Sequence, residues 1–207
     1  MTGSSRTLPA MLLAVVAVAL VASGIRPYDR LTWFLEVLPV LVAAPLLIAT
    51  HRSFPLTPLA YWLIAIHGLI LILGAHYTYA RVPLGFAMQE WWQLSRNPYD
   101  KIGHFMQGFA PVIVAREIFI RGAYVQGRKM LAFLSICVVM MISSSYELIE
   151  WGAALALGQG AEEFLGTQGY EWDTQSDMFY ALIGACSALL FLTRLHDRQL
   201  ARLTTGR

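Results

Sequence analysis

Six long apolar runs alternate with short polar segments along the chain. The runs cover approximately residues 8–25, 31–50, 59–80, 102–121, 130–154 and 177–195. At about 1.5 Å per helical residue, each run can cross most or all of a hydrocarbon layer about 30 Å thick. The pattern predicts an all-α, polytopic transmembrane helix bundle of about six spans. It forms a single integral membrane domain over residues 1–207, with a polar, basic tail at 196–207.

The first run has a second interpretation. Small residues at 21–24 resemble the cleavage site of a secretory signal peptide, which would remove this run from the mature protein. The segment before the run carries one arginine, Arg6, whereas a signal peptide begins with a positively charged region. We therefore favour an uncleaved first helix.

A stretch between the third and fourth runs combines aromatic and polar side chains. Within residues 81–99 these are Phe86, Gln89, Glu90, Trp91, Trp92, Gln93 and Tyr99. Tryptophan and tyrosine are enriched at the membrane–water boundary, where one part of the ring is buried and another is hydrated. The stretch is predicted to be an interfacial segment in the headgroup layer.

Composition supports a membrane protein. Of the 207 residues, 57% are hydrophobic and only 14% are charged, and the mean hydropathy is +0.56; a soluble domain has about 25% charged residues. The formal net charge of +2, without a basic cluster interleaved with aromatics, excludes a nucleic-acid partner and leaves the lipid bilayer. Cys137 and Cys186 lie inside apolar runs, which favours packing thiols over a disulfide.

Three pairs of polar residues lie where apolar runs begin or end. The pairs are Asp100 with His104, Glu147 with Glu150, and Asp173 with Asp177. Spacings of three or four residues put both members of a pair on one face of a helix. Ionisable groups in membrane helices are costly and commonly functional, so these six residues are the candidate site.

The distribution of lysine and arginine predicts the orientation of the bundle. Nine of these residues fall on the side that holds both termini, and five fall on the opposite side. Because cytoplasmic loops carry the excess, both termini are predicted to be cytoplasmic. The three polar pairs then lie together at the outer face, and His76, near the end of the third run, lies at the same level.

Longer motifs around the pairs carry a resemblance to a known family. They occupy residues 97–109, 115–117, 146–151, 164–169 and 172–175. These motifs are similar to the YjdF-type bacterial inner-membrane proteins, an uncharacterised family, and the likeness is strongest over about residues 77–200. The resemblance implies a multi-pass protein of the bacterial inner (cytoplasmic) membrane and implies no established activity.

The six candidate residues admit three interpretations. Five neighbouring carboxylates cannot all stay ionised without a cation or shared protons. A divalent metal would suit the oxygen and imidazole ligands, and zinc, manganese and magnesium are the candidates. Shared protons would instead give an acid–base pair or relay, with Glu147 and Glu150 as candidate catalytic groups. Alternatively, Arg81, Arg96 or Lys101 would neutralise the acids in a structural network. Secondary candidates are His76, Gln107 and Gln175.

Two functions follow from these interpretations. The first is a metal-dependent hydrolase or lipid-modifying enzyme that acts at the outer leaflet on a lipid or lipid-linked substrate. The second is a non-catalytic protein that binds or transports a cation. The inner parts of the fifth and sixth runs, 131–141 and 181–192, carry no charged residue, which favours a one-sided site over a pore.

The predicted topology can be checked with reporter fusions. A reporter placed after Arg207 should be active on the cytoplasmic side, and one inserted between residues 158 and 171 on the outer side. An outward-facing reporter at the end of the tail would contradict the predicted orientation.

Overall fold

Seven α-helices make up the described part of the protein. The computed structural model describes residues 4–157 and 167–205, and every regular element within those ranges is helical. The helices are α1 (Ser4–Ser23), α2 (Arg30–Thr50), α3 (Pro58–Tyr77), α4 (Pro83–Trp91), α5 (Tyr99–Arg121), α6 (Arg128–Leu157) and α7 (Asp173–Thr205). A 3₁₀ turn, Tyr79–Arg81, connects α3 to α4. The prediction of an all-α helix bundle is confirmed.

Four of these helices are long and apolar enough to cross a membrane. They are α2, α3, α6 as far as Ala156 and α7 as far as Leu203. Helix α1 contains a shorter apolar stretch, Thr7–Ser23. Helix α5 has 23 residues, about 34 Å of helix, but carries five charged side chains. With α1 and α5 included, the set is compatible with about six spans.

Local signals set the beginnings of α2 and α3. Asp29 precedes α2, and its carboxylate accepts a hydrogen bond from the Thr32 amide at 2.7 Å, which lowers the pKa of Asp29 below its ordinary value. Thr57 caps α3 by accepting a hydrogen bond from the Ala60 amide. Pro58 then occupies the first turn, where a missing amide hydrogen costs nothing.

Two segments are more regular than the sequence pattern indicated. The aromatic stretch at 81–99 contains the nine-residue helix α4. The polar tail is helical as far as Thr205, because α7 continues beyond its apolar run. His196 and Leu200 of this extension are buried. The side-chain oxygen of Gln199, Oε1, accepts a hydrogen bond from the Leu59 amide at the start of α3.

Helix α5 lies at the centre of the bundle and packs against α3, α6 and α7. Its closest approach is to α7, where both helices present small residues. A methyl group added at Gly108 of α5 would collide with the Ala181 carbonyl, and one added at Gly184 of α7 would collide with the Phe105 carbonyl. Each backbone therefore occupies the space that a side chain on the other helix would need.

Helices α1 and α2 pack against α3 on the other side of the bundle. Their contact is a small apolar core built from Val37 and Val40 of α2 with Ile72 and Ala75 of α3. The result is two packed groups that share α3: α1 and α2 on one side, and α5, α6 and α7 on the other.

The α5–α7 contact predicts which glycine is essential. Gly108→Val should lower the stability by at least about 1–3 kcal/mol, because the added side chain forces two backbones apart. The measurement is the thermal unfolding midpoint of the full chain in detergent.

Gly152→Val is the matched control, since no atom of the described residues lies within 4 Å of a methyl group added there. Its midpoint should stay unchanged or rise slightly, because valine is a better helix former than glycine. Equal midpoints for the two variants would show that the close contact is not required.

Candidate functional site

The α5–α7 contact brings acids from both helices around one lysine. The Lys101 ammonium group lies 2.9 Å from Asp173 Oδ1 and 3.7 Å from Asp100 Oδ2, and it donates a short hydrogen bond to Asp177 Oδ1. Asp173 and Asp177 are both buried. One cation thus links three carboxylates that the sequence places on two helices.

His104 lies one helical turn beyond Lys101 and is only 7% exposed. Its Nε2 atom is 3.3 Å from Asp100 Oδ1 and 3.8 Å from Asp177 Oδ2. Its Nδ1 atom is 3.3 Å from Gln107 Oε1 and 4.0 Å from Glu147 Oε1. The imidazole is therefore surrounded by oxygen atoms from α5, α6 and α7.

Asp100, His104 and Asp177 form the group best arranged to hold a metal ion. One potential ligand atom from each residue lies within 4.8 Å of the other two. Lys101 donates a hydrogen bond to one carboxylate oxygen of Asp177, whereas the other oxygen faces His104. This arrangement leaves a donor on each of the three residues for a cation beside His104.

Glu147 and Glu150 approach the site from α6. Glu147 is buried, with 7% of its surface exposed, and its Oε1 atom has no hydrogen-bond partner within the described residues. Glu150, almost one turn further along, borders a cavity next to the site. A buried carboxylate oxygen without a donor is costly, so Glu147 is arranged for a proton, a water or a ligand.

The loop before α5 supplies a second cation. The Arg96 guanidinium lies 2.5 Å from Asp173 Oδ1 and donates a hydrogen bond to the Thr167 carbonyl. Asn97 and Gln168 exchange two further hydrogen bonds, at 3.0 and 3.1 Å. These contacts attach the start of α5 to the segment before α7, and they neutralise Asp173.

An elongated cavity of about 840 Å³ borders the site. Its walls come from α1, α2, α3, α5 and α6, and most of its lining is apolar. The acids of the lining gather at one end of the cavity, where Glu36, Asp100 and Glu150 lie with His104 and Tyr146, whereas His51 and Tyr61 line the opposite end. The site thus joins a charged end to a long apolar space.

Comparison with known proteins gives the family. Residues 8–198 match a family described as "Predicted membrane protein (DUF2238)". The chain belongs to this family. It is also 58% identical over 208 residues to the inner membrane protein YjdF of Escherichia coli (strain K12), across 98% of this chain and all of that protein. No solved structure matches the chain.

These relationships confirm the resemblance to the YjdF-type family that the sequence motifs indicated. Together with the apolar helices, they place the chain among multi-pass proteins of the inner membrane. Neither description names a reaction or a ligand, so the site has to be interpreted from its own geometry.

Glu36 of α2 is a site residue that sequence reasoning did not select. It is 5% exposed and accepts a hydrogen bond of 3.3 Å from the Tyr146 hydroxyl on α6. A single acid in an apolar run is more commonly a residue that reaches water at the interface. The useful signal was its position, more than one helical turn inside the run, where solvent is hard to reach.

The three secondary candidates for site residues lie in different surroundings. Gln107 contacts His104 and borders the cavity. His76 lies in the last turn of α3, where its Nδ1 atom is 2.8 Å from the Ser23 carbonyl oxygen and joins α3 to α1. Gln175 is exposed on α7. Only Gln107 of these three is therefore part of the polar end of the cavity.

A second buried polar cluster lies at the opposite end of α5, around Glu117. The carboxylate, which is 0% exposed, accepts hydrogen bonds from the Thr57 amide and hydroxyl at 3.0 and 2.7 Å and from Arg121 at 2.8 Å. His196 Nε2 lies 3.1 Å from it. Since Arg116 can only donate to His196 Nδ1, Nε2 carries the hydrogen and donates to Glu117.

Both Glu117 oxygens thus have donors, and the cluster joins α3, α5 and α7. A fully satisfied buried network specifies how helices pack and leaves no donor or acceptor open for a ligand. We assign this cluster a structural role, in contrast to the polar end of the cavity.

Lys101 is predicted to be essential for stability. Lys101→Gln should destabilise the protein by about 1–3 kcal/mol, because buried Asp177 loses its closest cation while Asp173 keeps Arg96. Thermal unfolding of the purified variant would measure the loss.

Arg194→Gln on α7 is the control, since Arg194 is exposed and its replacement should change stability by no more than about 0.5 kcal/mol. A Lys101 variant as stable as this control would show that the acids do not depend on the lysine.

Proposed function

We propose that the protein is a membrane-embedded, metal-dependent enzyme, a hydrolase or lipid-modifying enzyme with its site at the outer face. The supporting observation is the group of Asp100, His104 and Asp177, whose ligand atoms lie within 4.8 Å of one another at the polar end of an elongated apolar cavity. The loop charges support an orientation with both termini in the cytoplasm.

The spacing of the three residues suits a small divalent cation. Zinc binds imidazole nitrogen and carboxylate oxygen at about 2.0–2.2 Å in tetrahedral geometry, which puts two ligand atoms roughly 3.4 Å apart. The two measured distances from His104 Nε2 to the aspartate oxygens, 3.3 and 3.8 Å, bracket that value. Manganese and magnesium accept the same donor types.

Each neighbouring residue then has a chemical task. A bound divalent metal would supply Lewis acidity and make a water molecule nucleophilic near neutral pH. Glu147, whose Oε1 atom has no donor within the described part of the chain, is placed to accept a proton beside His104. Glu150 lines the cavity, where it can contact the substrate or return the proton. Lys101 and Arg96 hold Asp173 and Asp177 in position.

The cavity supports a lipid or lipid-linked substrate. Its lining on α5 extends from Asp100 to Ile118, about 27 Å of helix, which is close to the thickness of the hydrocarbon layer. Such a length exceeds what a small polar solute requires. A lipid could place its apolar chain along the cavity and its reacting group beside His104.

The second candidate is a non-catalytic site, either a cation-binding protein or a structural network. Two basic residues already neutralise part of the cluster, since Arg96 contacts Asp173 and Lys101 contacts both Asp173 and Asp177. This observation favours a network in which no further cation is needed. The two proposals differ in whether a metal binds beside His104.

Measuring whether the purified protein binds a metal distinguishes the enzyme proposal from the structural-network proposal. The full chain, purified in detergent without chelator, should retain about one divalent metal ion per chain, measured by elemental analysis. Asp100→Asn, His104→Ala and Asp177→Asn should each lower the metal affinity by at least about tenfold, because each removes a ligand.

Glu90→Gln, in an exposed residue of α4, serves as the control and should retain the metal. A wild-type protein that holds no metal, and whose unfolding midpoint does not rise with added zinc, manganese or magnesium, would support the structural network instead.

A further inference from the structure

At the charged end of the cavity, among the described residues, acids outnumber basic side chains, and the histidine there, His104, is already paired with Asp100. Among the described residues, the cavity lining includes the carboxyl groups of Glu36, Asp100 and Glu150 and no lysine or arginine. Lys101 and Arg96 face Asp173 and Asp177, on the α7 side of the cluster. Glu36 and Glu150 are thus left on the cavity side, where the complementary ligand would be a cation.

Glu36 has too few partners for an acid inside a membrane helix. It is buried, and its hydrogen bond within the described residues is the one from Tyr146. A neutral hydroxyl offsets only part of the cost of placing a carboxylate at this depth. A cationic group in the cavity would supply the rest, and it would also reach Glu150, which lines the same space.

The remainder of the cavity suits an apolar chain that enters from the side. Leu46 and Ile48 of α2 and Ile142 of α6 all line the cavity and are also exposed, by 59%, 58% and 36%. Residues that face both the cavity and the outside mark an opening between α2 and α6. In the membrane, lipid surrounds that opening.

We propose that this cavity binds a lipid whose headgroup carries a primary ammonium group. The ammonium group binds between Glu36 and Glu150, and the apolar chain lies along α2, α5 and α6. Such binding deepens the proposed function by naming a substrate class, and as a statement about the substrate it rests on that function. Binding of the lipid itself requires no metal.

Lipid retention by the full chain tests the proposal. The detergent-purified protein is incubated in EDTA with phosphatidylethanolamine or with phosphatidylglycerol of identical acyl chains, and bound lipid is counted by native mass spectrometry. Both lipids carry a phosphate, and only the first carries an amine. The wild type should retain the amine lipid roughly tenfold better, as expected for charge-assisted hydrogen bonds.

Two sets of variants, three at glutamates and two at alanines, separate headgroup binding from binding of the apolar chain. Glu36→Gln and Glu150→Gln should remove the preference for the amine lipid, whereas Glu90→Gln should keep it. Ala43→Phe, in a residue that lines the cavity, should reduce retention of both lipids several-fold. Ala49→Phe, exposed on the same helix and outside the lining, should leave retention unchanged.

Equal retention of the two lipids by the wild type would overturn the proposal, and so would a preference that both glutamine variants keep. Because EDTA removes divalent metal, this result is independent of the metal measurement. A protein that binds metal without preferring the amine lipid would retain the proposed function and lose this inference.

Discussion

The structure depends on the close approach of α5 and α7 to each other. Their backbones touch because Gly108 and Gly184 each leave room for a carbonyl group of the other helix. That contact sets the distance between Asp100 and His104 on one helix and the acids on the other. With larger side chains at the crossing, the distance between the donor atoms of the two helices would exceed what a single metal ion or a single lysine can bridge. The chemistry of the site is thus fixed by two residues that take no part in it.

The two polar clusters on α5 show how similar residues serve different purposes. Around Glu117, donors from α3, α5 and α7 satisfy both carboxylate oxygens, and the residue is completely buried. Around His104, the acids outnumber their partners, and one oxygen of Glu147 lacks a donor within the described residues. Asp100, His104 and Glu150 of this cluster also border a large cavity. The Glu117 cluster is saturated with hydrogen bonds and holds its helices together, whereas the His104 cluster keeps unsatisfied acceptor capacity.

The sequence predicted the helices and the convergence of acids better than it predicted their partners. Apolar runs locate membrane helices because length and hydropathy act locally, and helical spacing puts Asp100 and His104 on one face. Glu36 was not selected because its neighbour Tyr146 is 110 residues away, and no local pattern records that contact. Arg96 was one of three basic candidates, and only the fold selects it for Asp173.

The tail illustrates a second limit of sequence reasoning. Hydropathy ends the last span near residue 195, yet α7 continues to Thr205. Its polar residues are used inside the bundle, where His196 contacts Glu117 and Gln199 binds the Leu59 amide. In a hydropathy pattern, a polar residue that is paired inside the protein cannot be distinguished from a polar residue that is exposed to water.

The order of synthesis gives the last helix a special position. Ribosomes make α5 well before α7, so α5 leaves the ribosome with Lys101 and Glu117 lacking the partners that α7 supplies at both ends. Until α7 arrives, Lys101 keeps Asp100 and Glu117 keeps Arg121 as partners, and α5 is less stable in lipid because each charge is only partly compensated. Arrival of α7 completes both clusters together. A nascent chain cut short before α7 would keep these charges only partly compensated within the membrane.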